Sequence, residues 1–260
     1  MRQALLVLCC VLALAVSPLR AQAQTEVDLA LVLAVDISNS MDPEEQELQR
    51  NGFVEALRSP QVHEAIQGGA LGRIALVYME WAGLGRHHVV VPWTVIEGAE
   101  DAAAFSARLA AAPIRRGPRT SISGAIEVSI NLLEQSGVEP IRRVIDISGD
   151  GANNQGRLVT QARDDALNRG ITINGLPIML KRPSGYWDVA NLDAYYRDCV
   201  IGGPGAFMIP IRERAQFAEA IRTKIIREIA DLGPDPRIVP VQAEGRTDCL
   251  AGAMRDWDAR

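Results

Sequence analysis

The chain has 260 residues, with 27 basic and 32 acidic side chains and a formal net charge of −5. An acidic balance of this size argues against nucleic acid or an anionic membrane as the main partner, since both attract concentrated positive charge. The length suits one α/β domain with a sizeable core.

Arg2 is followed by an apolar run from Ala4 to Val16 and then by Ala21-Gln22-Ala23, a small-x-small cleavage pattern. Residues 1–23 therefore read as a secretory signal peptide, with a run too short to span a bilayer comfortably. Its removal would take Cys9, Cys10, Arg2 and Arg20, leaving about 237 residues with 25 basic and 32 acidic side chains. Two cysteines would remain, Cys199 and Cys249. In an oxidising compartment a pair is more often bridged than free, so a disulfide tying the tail, residues 231–260, to the domain is expected. No later stretch reaches transmembrane length. The expected product is soluble, without a membrane span, and either periplasmic in a bacterium or secreted.

Leu29 to Val35 is a run of apolar, β-rich residues, as in a strand buried on both faces, and polarity returns abruptly at Asp36. Asp36, Ser38 and Ser40 then place oxygen on alternate residues, an inventory suited to hard cations. A capped, polar loop would look the same. Asp42-Pro43-Glu44-Glu45 is a helix start, with a cap, a proline in the first turn and a carboxylate three residues on. That helix should run from Pro43 to about Leu57 and stop before Pro60. Arg73 to Met79 reads as a second strand, Glu80 to Gly85 as a turn, and His88 to Trp93 as a third strand. So short a link allows a hairpin but no helical crossover, giving one antiparallel edge. Asp101 to Ala111 should be a helix.

The loop Arg115 to Ser123 feeds a helix with Ile122, Ile126, Ile130 and Leu133 at helical spacing, which Gly137 and Pro140 should stop. Arg143 to Ser148 reads as a strand emptying into Gly149-Asp150-Gly151, a tight turn presenting a carboxylate. Gly156 to Arg169 should be a helix and Ile171 to Met179 a strand. Beyond an irregular loop, the pattern predicts a short helix over Val189 to Asp198, a short strand over Ala206 to Pro210, and a helix over Glu213 to Ile229. The alternation predicts a doubly wound, mostly parallel sheet over residues 24–230, with one antiparallel edge strand and helices on both faces. In such sheets sites form at the carboxyl ends of strands, beside the point where strand order reverses.

Asp36, Ser38, Ser40, Thr120 and Asp150 together are the oxygen inventory for an octahedral Mg²⁺. The set resembles the metal-ion-dependent adhesion site of von Willebrand factor type A domains. More narrowly, the chain is similar to an uncharacterised family of exported bacterial proteins of this type, the DUF1194 family. The resemblance rests on V-L-A-V-D-I-S-N-S-M, A-L-V-Y-M-E-W-A-G, R-T-S-I-S-G-A-I, I-D-I-S-G-D-G-A-N-N and Y-Y-R-D-C-V-I-G-G-P-G-A-F. It implies a Rossmann-like fold and a site in which Asp36, Ser38 and Ser40 occupy the first loop, Thr120 the second and Asp150 the third. It also implies Mg²⁺, with Mn²⁺ or Ca²⁺ as substitutes, and a protein partner whose acidic side chain completes the shell. Gly149 departs from the pattern, since threonine is commoner before the aspartate.

Glu80, Trp81, Arg119, Tyr186 and Trp187 are candidate partner contacts, set against plainer readings as turn, covering or solvated loop residues. His63, His87 and His88 have no metal-ligand spacing and read as ordinary polar or packing residues. An aspartyl-phosphate phosphatase would want an aspartate where Ser38 stands, and neither a phosphate-binding loop nor a nucleophile elbow is present. The leading expectation is an exported, non-enzymatic adhesion or assembly module. A metal-dependent hydrolase or phosphatase and a metal-free scaffold are the alternatives.

Overall fold

In the computed structural model, residues 24–180, 189, 191–230 and 247–250 are described. The expected signal peptide, Tyr186, Trp187 and most of the tail lie outside the described residues. The elements are β1 (Thr25–Asp36), α1 (Pro43–Arg58), α2 (Pro60–Gln67), β2 (Ile74–Trp81), β3 (His87–Ile96), α3 (Ala99–Ala111), α4 (Ile122–Glu134), β4 (Val138–Gly149), α5 (Val159–Asn168) and β5 (Ile171–Pro177). A short helix α6 (Leu192–Tyr195), running into a π-helical turn over Tyr196–Val200, and a long helix α7 (Phe217–Ala230) follow.

The strands form one sheet in the order β3-β2-β1-β4-β5. Neighbours are parallel except β2 and β3, which pair antiparallel as the short link requires. Central β1 is buried on both faces, and its side chains alternate between two cores. Leu29, Leu31, Leu33 and Val35 join Phe53, Leu57, Phe105 and Ile221 of α1, α3 and α7. Ala30, Val32 and Ala34 join Ile126, Ala162 and Tyr196, on the side of α4 to α6. Four polar side chains of the sheet are also buried on the α1/α7 side, and each meets a helix partner: Glu80 with Arg50, Ser148 with Gln49, Asp146 with Lys224, and Asn174 with Glu228.

Several boundaries differ from expectation, each for a local reason. β2 continues through Glu80 and Trp81, which pair with His88 and His87, so the turn begins later. Helix α2 was not expected. Ser59 ends α1 by donating to the Ala56 carbonyl (2.7 Å) and starts α2 by accepting from the Val62 amide (3.4 Å). β4 starts at Val138 and includes Pro140, near its beginning where a missing donor is tolerated. Gly156 has φ 88°, outside helical conformation, so α5 begins at Val159. Ala206 to Pro210 forms no regular strand. An isolated bridge, Gly175 with Met208, sets it beside β5, and a second, Ile178 with Ile211, lies just past the end of both. At the other edge, β3 carries Pro92, and the β2–β3 register shifts on both sides of Tyr78.

Candidate metal centre

β1 and β4 are adjacent and parallel, so Asp36 and Asp150 leave the sheet side by side although 114 positions separate them. This is the crevice where strand order reverses. One oxygen of Asp36 accepts from the Ser38 amide at 2.7 Å, which curls the loop back over the strand end. The Ser38 and Ser40 hydroxyls lie 2.7 Å apart, and Ser40 donates to Asp150 Oδ1 at 2.5 Å. The capping box expected at Asp42 and Glu45 is present, with 2.8 and 2.9 Å hydrogen bonds, and fixes where the loop becomes α1.

The Thr120 loop is stitched to its neighbours through backbone. Gly117 exchanges hydrogen bonds with Ile37 (2.9 Å) and Asn39 (2.8 Å), and Arg116 donates to the carbonyls of Asn39 and Met41. The exit of β2 joins on the other side, where Ser121 donates to the Ala82 carbonyl and Gly83 to that of Pro118. A Cβ on Gly83 would stand 2.7 Å from the Pro118 carbonyl, so only glycine admits this approach. Asn154 then closes the arrangement. Its amide donates to the Thr120 carbonyl and its side chain accepts from the Thr120 amide, both at 2.9 Å. A Cβ on Gly151 would lie 3.7 Å from Thr120 Oγ1, which puts that hydroxyl against the Asp150 turn. All five sequence-predicted ligand residues are thus in one cluster of loops.

Asp36, Ser38 and Thr120 are buried, Ser40 is exposed, and Asp150 is half-buried. Burial, followed by the charge of Asp150, pushes the Asp36 carboxyl well above the ordinary range, while hydrogen bonds from Ser38 and the Asp150 amide act against it. Asp36 Oδ2 is buried and has no hydrogen-bond partner. Such an atom calls for an explanation, and a cation is one. The donor set fits a hard divalent ion, since all five side chains offer oxygen. Among the described residues no group of three or more His, Cys, Asp or Glu is placed to hold a metal, so this cluster rests on two carboxylates and three hydroxyls.

Of the candidate partner contacts, Arg119 is exposed immediately before Thr120, with φ 70°, a conformation that costs a non-glycine residue on the order of 1 kcal/mol. Glu80 and Trp81 are corrections. Both are buried to 1% exposure, Glu80 against Arg50 and Trp81 in the core under α4, so neither offers a surface to a partner. Glu80 instead anchors the second loop from behind. Arg50, its partner, also donates to the carbonyl of Ala112 (2.5 Å), and Arg115 lies 3.8 Å from the second Glu80 oxygen. His63 bonds the Leu57 carbonyl at 2.8 Å, and His87 and His88 begin β3.

Sequence reasoning missed Asn153, Tyr195 and Tyr196. The Asn153 side chain accepts from the Ser123 amide and donates to the Arg157 carbonyl, while its own amide donates to the Tyr195 hydroxyl. Tyr196 Oη lies 3.4 Å from the Gly149 carbonyl. A Cβ on Gly149 would sit 2.8 Å from Asp36 Oδ2 and 3.1 Å from Tyr196 Oη, which accounts for glycine at that position. The disulfide is present, joining Cys199 to Cys249 across 50 residues. No described helix is long and apolar enough to cross a membrane.

The profile of a family described as a protein of unknown function (DUF1194) matches residues 26–233. No curated protein matches the chain. Among solved structures, proximal thread matrix protein 1 from the mussel byssus is similar over 80% of this chain and 49% of its own, at 13% identity and a TM-score of 0.59. A further structure of that protein, with a TM-score of 0.58 and 13% identity, is described as having a zinc-occupied MIDAS motif. The pilus adhesin SpaC from Lactobacillus rhamnosus GG is similar over 80% of this chain and 32% of its own, at 12% identity and a TM-score of 0.60. A von Willebrand factor type A structure from Catenulispora acidiphila covers 78% and 43%, at 13% identity and a TM-score of 0.53. The chain spans about half or less of the length of each. At these identities the likeness shows the fold, which is that of von Willebrand factor type A domains.

Proposed function

The chain belongs to the DUF1194 family, its domain has the von Willebrand factor type A fold, and we propose that it is a divalent-metal-binding adhesion or assembly module. One observation carries the reading. Three loops from distant parts of the chain converge on five oxygen-bearing side chains, and a buried Asp36 oxygen among them has no protein partner. Asp36, Ser38, Ser40, Thr120 and Asp150 would hold the ion, Mg²⁺ in the first instance, with Mn²⁺ or Ca²⁺ as substitutes. The ion would supply an electrophilic centre for an oxygen from outside the chain.

The residues themselves set what that oxygen can be. Three of the five donors are neutral hydroxyls, so only Asp36 and Asp150 offset the ion's two charges. Exposed Ser40 and half-buried Asp150 leave the cluster open toward solvent, while Asp36 and Ser38 close it from below. A carboxylate of a protein partner offers the hard anionic oxygen that such an ion prefers, and exposed Arg119 stands beside Thr120 at the rim. Adhesin and byssal-matrix proteins among the structural relatives are in keeping with capture of a protein, and the role proposed is binding without catalysis. The proposed setting is the bacterial periplasm or the cell exterior, as the leader sequence suggests.

Calorimetric titration of Mg²⁺ into the wild type and into Asp36→Ala and Asp150→Ala tests the assignment. Both variants should lose measurable Mg²⁺ uptake and keep the far-ultraviolet circular dichroism of the wild type. Wild-type affinity in both would overturn it.

A further inference from the structure

The turn after α6 reaches the candidate site from underneath. At Tyr196 the helix widens, and the Ile201 amide bonds the Tyr196 carbonyl five residues back at 2.9 Å. Single π-helical turns of this kind recur at functional positions. Here the turn faces two consecutive tyrosines toward the Asp150 loop. Tyr195 Oη accepts from the Asn153 amide at 3.2 Å, and Tyr196 Oη donates to the Gly149 carbonyl at 3.4 Å. Both tyrosines are fully buried.

Two glycines make room for Tyr196. A Cβ on Gly175 of β5 would stand 2.8 Å from Tyr196 Cδ1, and one on Gly149 would stand 3.1 Å from Tyr196 Oη. The first is closer than a side chain tolerates and the second is tight, so the ring lies in a slot lined by the backbones of β4 and β5. The slot ends at Asp36, whose unpartnered oxygen borders the same Gly149 position at 2.8 Å.

The other end of the turn is fastened by the chain's C-terminal part. Cys199 is bonded to Cys249, and Asp198 accepts from the Thr247 amide at 2.9 Å. Burial of Tyr196 and closure of the disulfide therefore act on one five-residue turn, with Tyr195 immediately before it. From it, contacts run through Gly149 and Asn153 to Asp150, and through Asn154 to Thr120.

We propose that Tyr195 and Tyr196 are positioning residues of the metal centre, and that the Cys199–Cys249 disulfide holds their turn against the Gly149–Asn154 loop. The proposal rests on the metal reading above, but it makes a claim about the metal-free protein as well. Without the turn, the loop that carries Asp150 loses the two hydroxyl contacts that fix it from below. Asp150 and Thr120 then sample more arrangements than the one that binds the ion.

Three variants test this: Tyr196→Phe, Tyr195→Phe and the double variant Cys199→Ala/Cys249→Ser. In metal-free protein, hydrogen exchange at the Asn153 and Asn154 amides should speed up about tenfold in Tyr195→Phe and in the double cysteine variant. The amides of β3, across the sheet, should keep wild-type rates. A general loss of stability would accelerate both regions together and would count against a positioning role. The Mg²⁺ dissociation constant should rise about tenfold in Tyr196→Phe, whose ring still fills the slot, and in the double cysteine variant. Wild-type exchange at Asn153 and Asn154 together with wild-type Mg²⁺ affinity would overturn the proposal. If the wild type takes up no Mg²⁺, the metal reading falls, and exchange in the metal-free protein alone decides whether the turn holds the loop.

Discussion

Replacing Glu80 with leucine removes the acidic member of a buried pair and leaves Arg50 without its counter-charge. Arg50 is 5% exposed and Glu80 1%, and Arg50 also fastens the backbone that leads toward Thr120 through the carbonyls of Ala112 and Pro113. Breaking such a pair costs about 3–5 kcal/mol, because the remaining charge is stranded in a poorly polarisable interior. A domain of ordinary stability has about 5–15 kcal/mol in all, so the variant should fold but unfold at far lower urea concentration. The pair as a whole should contribute much less. Burial raises the Glu80 carboxyl above the ordinary glutamate value, and the pull of Arg50, with a smaller one from Arg115, does not cancel it. The charged state is thus still disfavoured by desolvation. Arg50→Met combined with Glu80→Leu should therefore recover most of the loss. About 1–2 kcal/mol would stay missing, from the two carbonyl hydrogen bonds. Urea unfolding of the wild type, the single variant and the double variant supplies the comparison, provided the m-value is unchanged. The reasoning fails if Glu80→Leu costs under about 1 kcal/mol, or if the double variant is as unstable as the single one.

Gly149→Ala would put a Cβ 2.8 Å from Asp36 Oδ2; it should cost roughly 1–3 kcal/mol in urea unfolding and weaken Mg²⁺ uptake, and wild-type values in both would show the contact to be slack. Glu228 is pushed up to about 7, first by burial and then by Asp146, with Lys224 opposing. A raised carboxyl makes the folded state the stronger proton binder, so the stability it adds is complete below the ordinary glutamate value and is lost as pH rises through about 7. Unfolding free energy should fall by up to roughly 3 kcal/mol from pH 5 to 8, and Glu228→Gln should flatten that slope. Chelation should lower the melting temperature by roughly 5–10 °C from that at a hundredfold excess of Mg²⁺ over its dissociation constant, with unfolding still cooperative. Loss of cooperative structure would mean that the ion is part of the core. Thiol titration of denatured, unreduced, exported protein should find no free thiol, and two would contradict the Cys199–Cys249 bond.

The strand ends that matter were legible because burial on both faces writes an unmistakable pattern. Leu29 to Val35 has no polar residue, and the change at Asp36 marks where the chain leaves the sheet. The hairpin was legible from its length alone. Glu80 was misread because a charged residue after an apolar run looks like an exit, whereas here an arginine 30 positions earlier accompanies it into the interior. Gly156 has the spelling of a helix start but a backbone conformation that no helix uses. Tyr196 could not be placed from sequence, since its role depends on two missing Cβ atoms, at Gly149 and Gly175, in strands that only the fold makes adjacent. The five candidate ligands needed that same adjacency, but each also stands at a recognisable strand exit or helix entry.

The proline in β3 has a consequence for the molecule at high concentration. β5 is flanked by the segment that includes Gly202, Met208 and Ile211, whereas among the described residues β3 pairs with β2 alone. An open strand invites a second copy to extend the ladder. Pro92 offers no amide there, and the register shifts beside Tyr78 bend the strand away from the straight geometry a continuing ladder needs. Each stretch left for pairing is only a few residues long, too short to hold a neighbour by backbone hydrogen bonds alone. Crowded copies of the protein should therefore remain separate along this border.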